Sequence, residues 1–90
     1  MIVRNILKVH VPLYEVWAFG SRAKWTAKPF SDLDLTIISD KGLTLRESAE
    51  LANDFLESDL PFKVDLVDWA TTSDAFRKII AQDKVVIQAP

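Results

Sequence analysis

Two aspartates alternating with leucines, Asp32-Leu33-Asp34-Leu35, are the first residues of this 90-residue chain whose types and spacing suggest chemistry. On extended backbone, successive side chains point to opposite faces, so Asp32 and Asp34 share one face and Leu33 and Leu35 the other. The leucines can enter a core, which holds the two carboxylates close together. Like charges so placed resist joint ionisation unless a cation neutralises them. Magnesium suits that need best, because it takes one or two carboxylates and completes its shell with water and substrate phosphates.

A second group lies upstream. Val16, Trp17, Ala18 and Phe19 read as a buried strand that stops at Gly20, where the missing Cβ lets the backbone turn and approach a ligand. Ser21 then opens a short helix, whose free N–H groups and hydroxyl suit phosphate oxygens. Arg22, Lys24 and Lys28 add positive charge to the loop. A phosphate cradle beside paired carboxylates is what a nucleoside triphosphate carried by magnesium would require.

An apolar strand, Gly20-Ser21, a loop and Asp32-Leu33-Asp34-Leu35 together resemble the nucleotidyltransferase superfamily typified by DNA polymerase beta. Ten residues separate Ser21 from Asp32, within the spacing that superfamily uses. G-S-R-A followed by T-A-K-P-F-S-D-L-D-L is similar, more narrowly, to the minimal nucleotidyltransferases, usually encoded beside a HEPN-domain partner. The resemblance covers nearly the whole chain. It implies a third acidic residue on a later strand, and Asp65 fits that role, with Val64 and Leu66 on the opposite face. Asp68 falls on the other face from Asp65 and is not assigned to the site. The resemblance also implies two magnesium ions held by Asp32, Asp34 and Asp65, with Gly20, Ser21 and Arg22 on the nucleotide. The implied reaction is transfer of AMP from ATP to a tyrosine of a HEPN ribonuclease toxin, by an antitoxin that works in a hetero-oligomer. Where many relatives carry Arg-Gly, this chain has Lys24-Trp25, and Trp25 and Phe30 could equally stack on a base or pack under the loop. The alternative reading is a non-catalytic antitoxin that neutralises its HEPN partner by covering it.

Composition narrows the field. Ninety residues, 49% of them hydrophobic, are enough for one core, and a single domain over 1–90 is expected. A net charge of −2 argues against broad attraction to nucleic acid. The absence of cysteine removes disulfide and thiolate chemistry and fits a cytoplasmic protein. Arg4 and Lys8 interrupt the apolar amino terminus, and no window approaches the roughly 20 apolar residues of a membrane span.

The elements that must position the site follow from periodicity. Val3, Ile6, Leu7 and His10 form one helical face that ends before Pro12. His10, the only histidine, reads as packing or surface. After the strand from Leu33 through Ile38, Thr44 and Glu47 fit a capping box. The following helix is expected to bury Leu45, Ala49, Ala52, Phe55 and Leu56, while Glu47, Glu50, Asp54 and Glu57 belong to the cap and a solvated face. Pro61 leads into the strand with Asp65. Ser73 and its neighbours cap a last helix expected to turn Phe76, Ile79 and Ile80 inward, and 84–88 reads as a final strand. The predicted class is α/β (α+β), a mixed sheet of about four strands covered by helices, with the strands bearing Asp32, Asp34 and Asp65 adjacent.

Overall fold

The computed structural model describes residues 2–20, 32–39, 41–60 and 62–89. The expected helix after Ser21, and the loop with Arg22, Lys24, Trp25, Lys28 and Phe30, lie outside the described residues, as do Asp40 and Pro61. In chain order the elements are α1 (Ile2–His10), β1 (Glu15–Phe19), β2 (Leu33–Ile38), α2 (Leu45–Glu57), β3 (Val64–Asp68), a 3₁₀ turn (Trp69–Thr71), α3 (Asp74–Asp83) and β4 (Val85–Gln88).

The four strands form one mixed sheet in the order β3-β2-β1-β4. β1 runs antiparallel to β2 and to β4, whereas β2 and β3 are parallel and therefore need a crossover, which α2 supplies. Alternation along the strands gives each face its task. Val16 and Ala18 of β1, and Leu33, Leu35 and Ile37 of β2, bury against Val3 and Leu7 of α1, Val11 beyond it, and Leu51 and Phe55 of α2. Leu35 is completely buried at the centre of this layer, where truncation to alanine would cost about 2–5 kcal/mol. α1 ends where Pro12 cannot continue the ladder, and Gln88 secures the turn by donating from Nε2 to Val11 O (2.7 Å) and Tyr14 O (2.9 Å).

The other face carries Trp17 and Phe19. Trp69 meets Trp17 edge-on at 5.1 Å, and Phe76 of α3 meets Phe19 edge-on at 5.8 Å, so the 3₁₀ turn and α3 cover part of that side. Arg77 braces the turn by donating to Trp69 O from Nε (3.1 Å) and an η nitrogen (2.7 Å).

The α2 cap forms as the sequence predicts: Glu47 N donates to Thr44 Oγ1 (3.0 Å) and Thr44 N donates to Glu47 Oε1 (2.9 Å). The stripe that α2 buries matches the expectation at Phe55 and differs elsewhere. Leu51 joins Phe55 in the core, while Ala49 and Ala52 are exposed and Leu45 and Leu56 remain 88% and 81% exposed. Two apolar stripes lie about 100° apart on this helix, and sequence alone does not say which one meets the sheet. α3 differs likewise. Ser73 caps it by accepting from Phe76 N (3.3 Å), but only Ile80 is fully buried, Ile79 is 58% exposed, and Phe76 keeps 38% exposure above Phe19.

Candidate active site

The chemistry-bearing residues meet where β1 ends and β2 begins. Phe19, the last residue of β1, pairs with Asp34 of β2, and Asp34 pairs in turn with Asp65 of β3. Directly paired residues project to the same face, so Phe19, Asp34 and Asp65 form a row across three strands spaced about 4.8 Å apart. Asp32, two residues earlier, is exposed immediately before β2 begins. Gly20 follows Phe19 with φ 78°, a left-handed conformation that strains other residues. A Cβ built on Gly20 would overlap Asp34 Oδ2 and lie 3.4 Å from Asp34 Cγ. Glycine therefore brings the backbone against the carboxylate itself.

Electrostatics mark the centre of the row. Partial burial, then the charges of Asp65 and Asp32, push the Asp34 carboxyl above its ordinary value. Asp65 and Asp32 are thus close enough to act on Asp34. Among the described residues, however, no three acidic or histidine side chains close into a metal cage. Asp65 Oδ1 instead lies 3.6 Å from Lys63 Nζ. The residues still fit a hard divalent ion on two grounds: every donor is a carboxylate oxygen, and Asp34 carries a charge conflict that a cation would relieve.

Lys63 is the participant that sequence reasoning missed. It precedes Asp65 by two positions on the same strand path, so period-two alternation was the signal for it. Ser21 and Arg22 lie outside the described residues. Asp68 is occupied elsewhere: Oδ2 accepts from Leu43 N (2.9 Å) and Oδ1 from Ala70 N (3.2 Å), which starts the 3₁₀ turn. His10 is likewise structural, joining α1 to α2 through Asp54 Oδ2 at 2.5 Å. A cavity of about 640 Å³ opens beside Asp32 and Lys63, walled by Phe55, Leu56, Leu60 and Phe62.

A strand ending in glycine, a paired-aspartate strand antiparallel to it and a third acidic strand parallel to the second define a nucleotidyltransferase core. The chain belongs to the family described as polymerase beta, nucleotidyltransferase, whose model matches residues 2–89. It is 58% identical over 87 residues to the probable protein adenylyltransferase MntA of Haemophilus influenzae, covering 97% of this chain and 76% of that protein. It is also similar to the crystal structure of a toxin-antitoxin with AMP-PNP, at TM-score 0.79 and 25% identity over 96% of this chain and 69% of that one. The structure of a tri-AMPylated Shewanella oneidensis HEPN toxin with its MNT antitoxin shares the fold, at TM-score 0.70 and 22% identity over 98% of this chain and 71% of that one. Among the described residues, no helix is long and apolar enough to cross a membrane.

Proposed function

We propose that this nucleotidyltransferase transfers AMP from ATP to a hydroxyl of a HEPN-domain toxin, and so acts in the cytoplasm as the antitoxin of a hetero-oligomeric pair. The observation that carries this reading is the row Phe19–Asp34–Asp65, in which the Asp34 carboxylate lies against the backbone at Gly20 and Asp65 is its partner on the parallel strand. The 58% identity to a probable protein adenylyltransferase supports it.

Asp32, Asp34 and Asp65 would hold magnesium. The ions would supply neutralisation of triphosphate charge and a lower pKa for the attacking hydroxyl. The chain's own residues do the rest. Gly20 admits the phosphates to the turn, where the Ser21 hydroxyl and Arg22 orient them. Asp34 anchors the centre of the row, and Asp65 accepts the proton of the acceptor hydroxyl. The hydroxyl oxygen bonds to the α-phosphorus as the bond from that phosphorus to the bridging oxygen of the β-phosphate breaks in line. The products are an AMP ester of the toxin and pyrophosphate.

The test mixes purified chain, HEPN-domain toxin, ATP and magnesium, and reads the toxin's intact mass. The expected result is an adenylyl increment that disappears with Asp34→Asn. Neutralisation of the toxin by an Asp32→Ala, Asp34→Ala double variant, with no increment in any sample, would establish the covering mode instead.

A further inference from the structure

We infer that Thr36 is a positioning residue for Asp34: its hydroxyl holds one ordered water against the carboxylate and so fixes the direction in which Asp34 meets a metal ion. This rests on the transfer reading above. Thr36 lies within β2 and is completely buried, the one buried polar side chain among the described residues. Its Oγ1 has no hydrogen-bond partner. Buried hydroxyls almost always have one, and an unpaired hydroxyl costs stability that a valine of the same shape would not. Packing alone would place valine or isoleucine at so enclosed a strand position. The hydroxyl therefore calls for a second reason.

Strand register leaves one partner for it. Thr36 pairs with Trp17 of β1 and with Val67 of β3, which puts it on the face of Phe19, Asp34 and Asp65, one row further along. The 3₁₀ turn packs over β2, with Trp69 edge-on to Trp17, and covers this row. Three carboxylates border it on the same face. Glu15, diagonal to Thr36 across β1, accepts from Trp17 Nε1. Asp65, diagonal on β3, has Lys63 Nζ 3.6 Å from Oδ1. Asp34, two residues earlier on the strand of Thr36 itself, receives no hydrogen bond from any described residue. A donor without an acceptor thus stands about 6.6 Å along the backbone from an acceptor without a donor. That interval is too long for a direct bond and suits one water, whose two hydrogen bonds each span about 2.7–2.8 Å. The backbone at Gly20 already limits the carboxylate from the β1 side, close against Oδ2. The water restrains it along the strand, as partners behind a ligating carboxylate do.

The test titrates magnesium into the complete chain with AMP-PNP by calorimetry, and follows AMP transfer to the HEPN-domain toxin with ATP. Thr36→Val removes the hydroxyl and keeps the shape, whereas Thr36→Ser keeps the hydroxyl. The expected outcome is a magnesium Kd raised about 10–100-fold in Thr36→Val, with kcat lowered, KM for toxin unchanged and Thr36→Ser close to the parent. A hydroxyl with no role beyond packing predicts a different pair of results: Thr36→Val melts higher in chelator and binds magnesium like the parent. That result would overturn the inference, and so would equal weakening by Thr36→Val and Thr36→Ser. Should Thr36→Val fail to fold, as read by its melting curve, Thr36→Ser and Thr36→Ala make the comparison: tighter magnesium binding by the serine variant supports the hydroxyl, and equal binding removes it. A crystal structure of the metal-free chain should show a water within hydrogen-bond reach of both Thr36 Oγ1 and the Asp34 carboxylate. A Thr36 hydroxyl bonded instead to a backbone carbonyl would overturn the inference whatever the activity. A parent chain that binds magnesium but transfers no AMP ends the transfer reading alone, and the titration still decides Thr36.

Discussion

Gly20 and Asp34 are packed so closely that a methyl group on the first would overlap Oδ2 of the second. The left-handed φ of 78° adds a second reason for glycine. Gly20→Ala should therefore cost about 1–2 kcal/mol of stability from backbone strain, read by chemical denaturation. It should also lower transfer by about 100-fold, because displacement of Asp34 by a fraction of an ångström disturbs the reacting geometry. A variant with parental turnover would separate the turn from the chemistry.

Asp34 sits where burial, Asp65 and Asp32 all favour its protonated form. A carboxyl whose pKa is higher folded than unfolded makes the native state the stronger proton binder, so stability falls as pH rises from 3.8 through the folded-state value and is level above it. Asp34→Asn should flatten that decline and raise the melting temperature at pH 7 in the presence of a chelator. Added magnesium should stabilise the parent and not the variant. The same substitution should reduce transfer by more than about 100-fold, since removal even of groups behind a metal ligand costs up to that much.

The capping box of α2 was legible from Thr44 and Glu47 because a cap depends on four consecutive residues and little else. The row of Asp34 and Asp65 was legible because the family resemblance implies a third carboxylate on a later strand, and strand alternation fixes which face each carboxylate takes. Of the buried stripe of α2 only Phe55 was, since choosing between the arc of Leu45, Ala49, Ala52 and Leu56 and the arc of Leu51 and Phe55 requires the position of the sheet. Nor was the contact of Trp17 with Trp69, which depends on a 3₁₀ turn started by Asp68 and joins residues 52 positions apart. Local chemistry survived translation into structure, and helix rotation did not.

His10 and Asp54 join α1 to α2 at 2.5 Å, with the carboxylate about half exposed. Such a pair contributes about 0.2–1 kcal/mol. His10→Ala and Asp54→Ala should each destabilise by no more than about that amount. Their effects should be sub-additive in a double-mutant cycle followed by urea denaturation, because either change removes the same contact. Transfer should be unaffected, since neither residue lies near Asp34.

Asp68 offers the sharpest contrast with Asp65, three positions earlier on the same strand. Its two oxygens accept from Leu43 N and Ala70 N, and a Cβ on Gly42 would stand 2.6 Å from Oδ2. The carboxylate therefore fastens the approach to α2 and starts the turn that carries Trp69. Loss of hydrogen bonds to a charged acceptor costs about 1.5–3 kcal/mol each when the donor is left without a partner, and these amides are only partly buried. Asp68→Ala should destabilise by about 2 kcal/mol while, below its lowered melting temperature, retaining most of its transfer rate. Asp65→Ala should do the reverse, leaving stability nearly unchanged and removing transfer by more than about 100-fold. Parallel melting curves and adenylylation rates for the two variants make the comparison, and equal losses of rate would mean that strand alternation does not divide site from scaffold on β3.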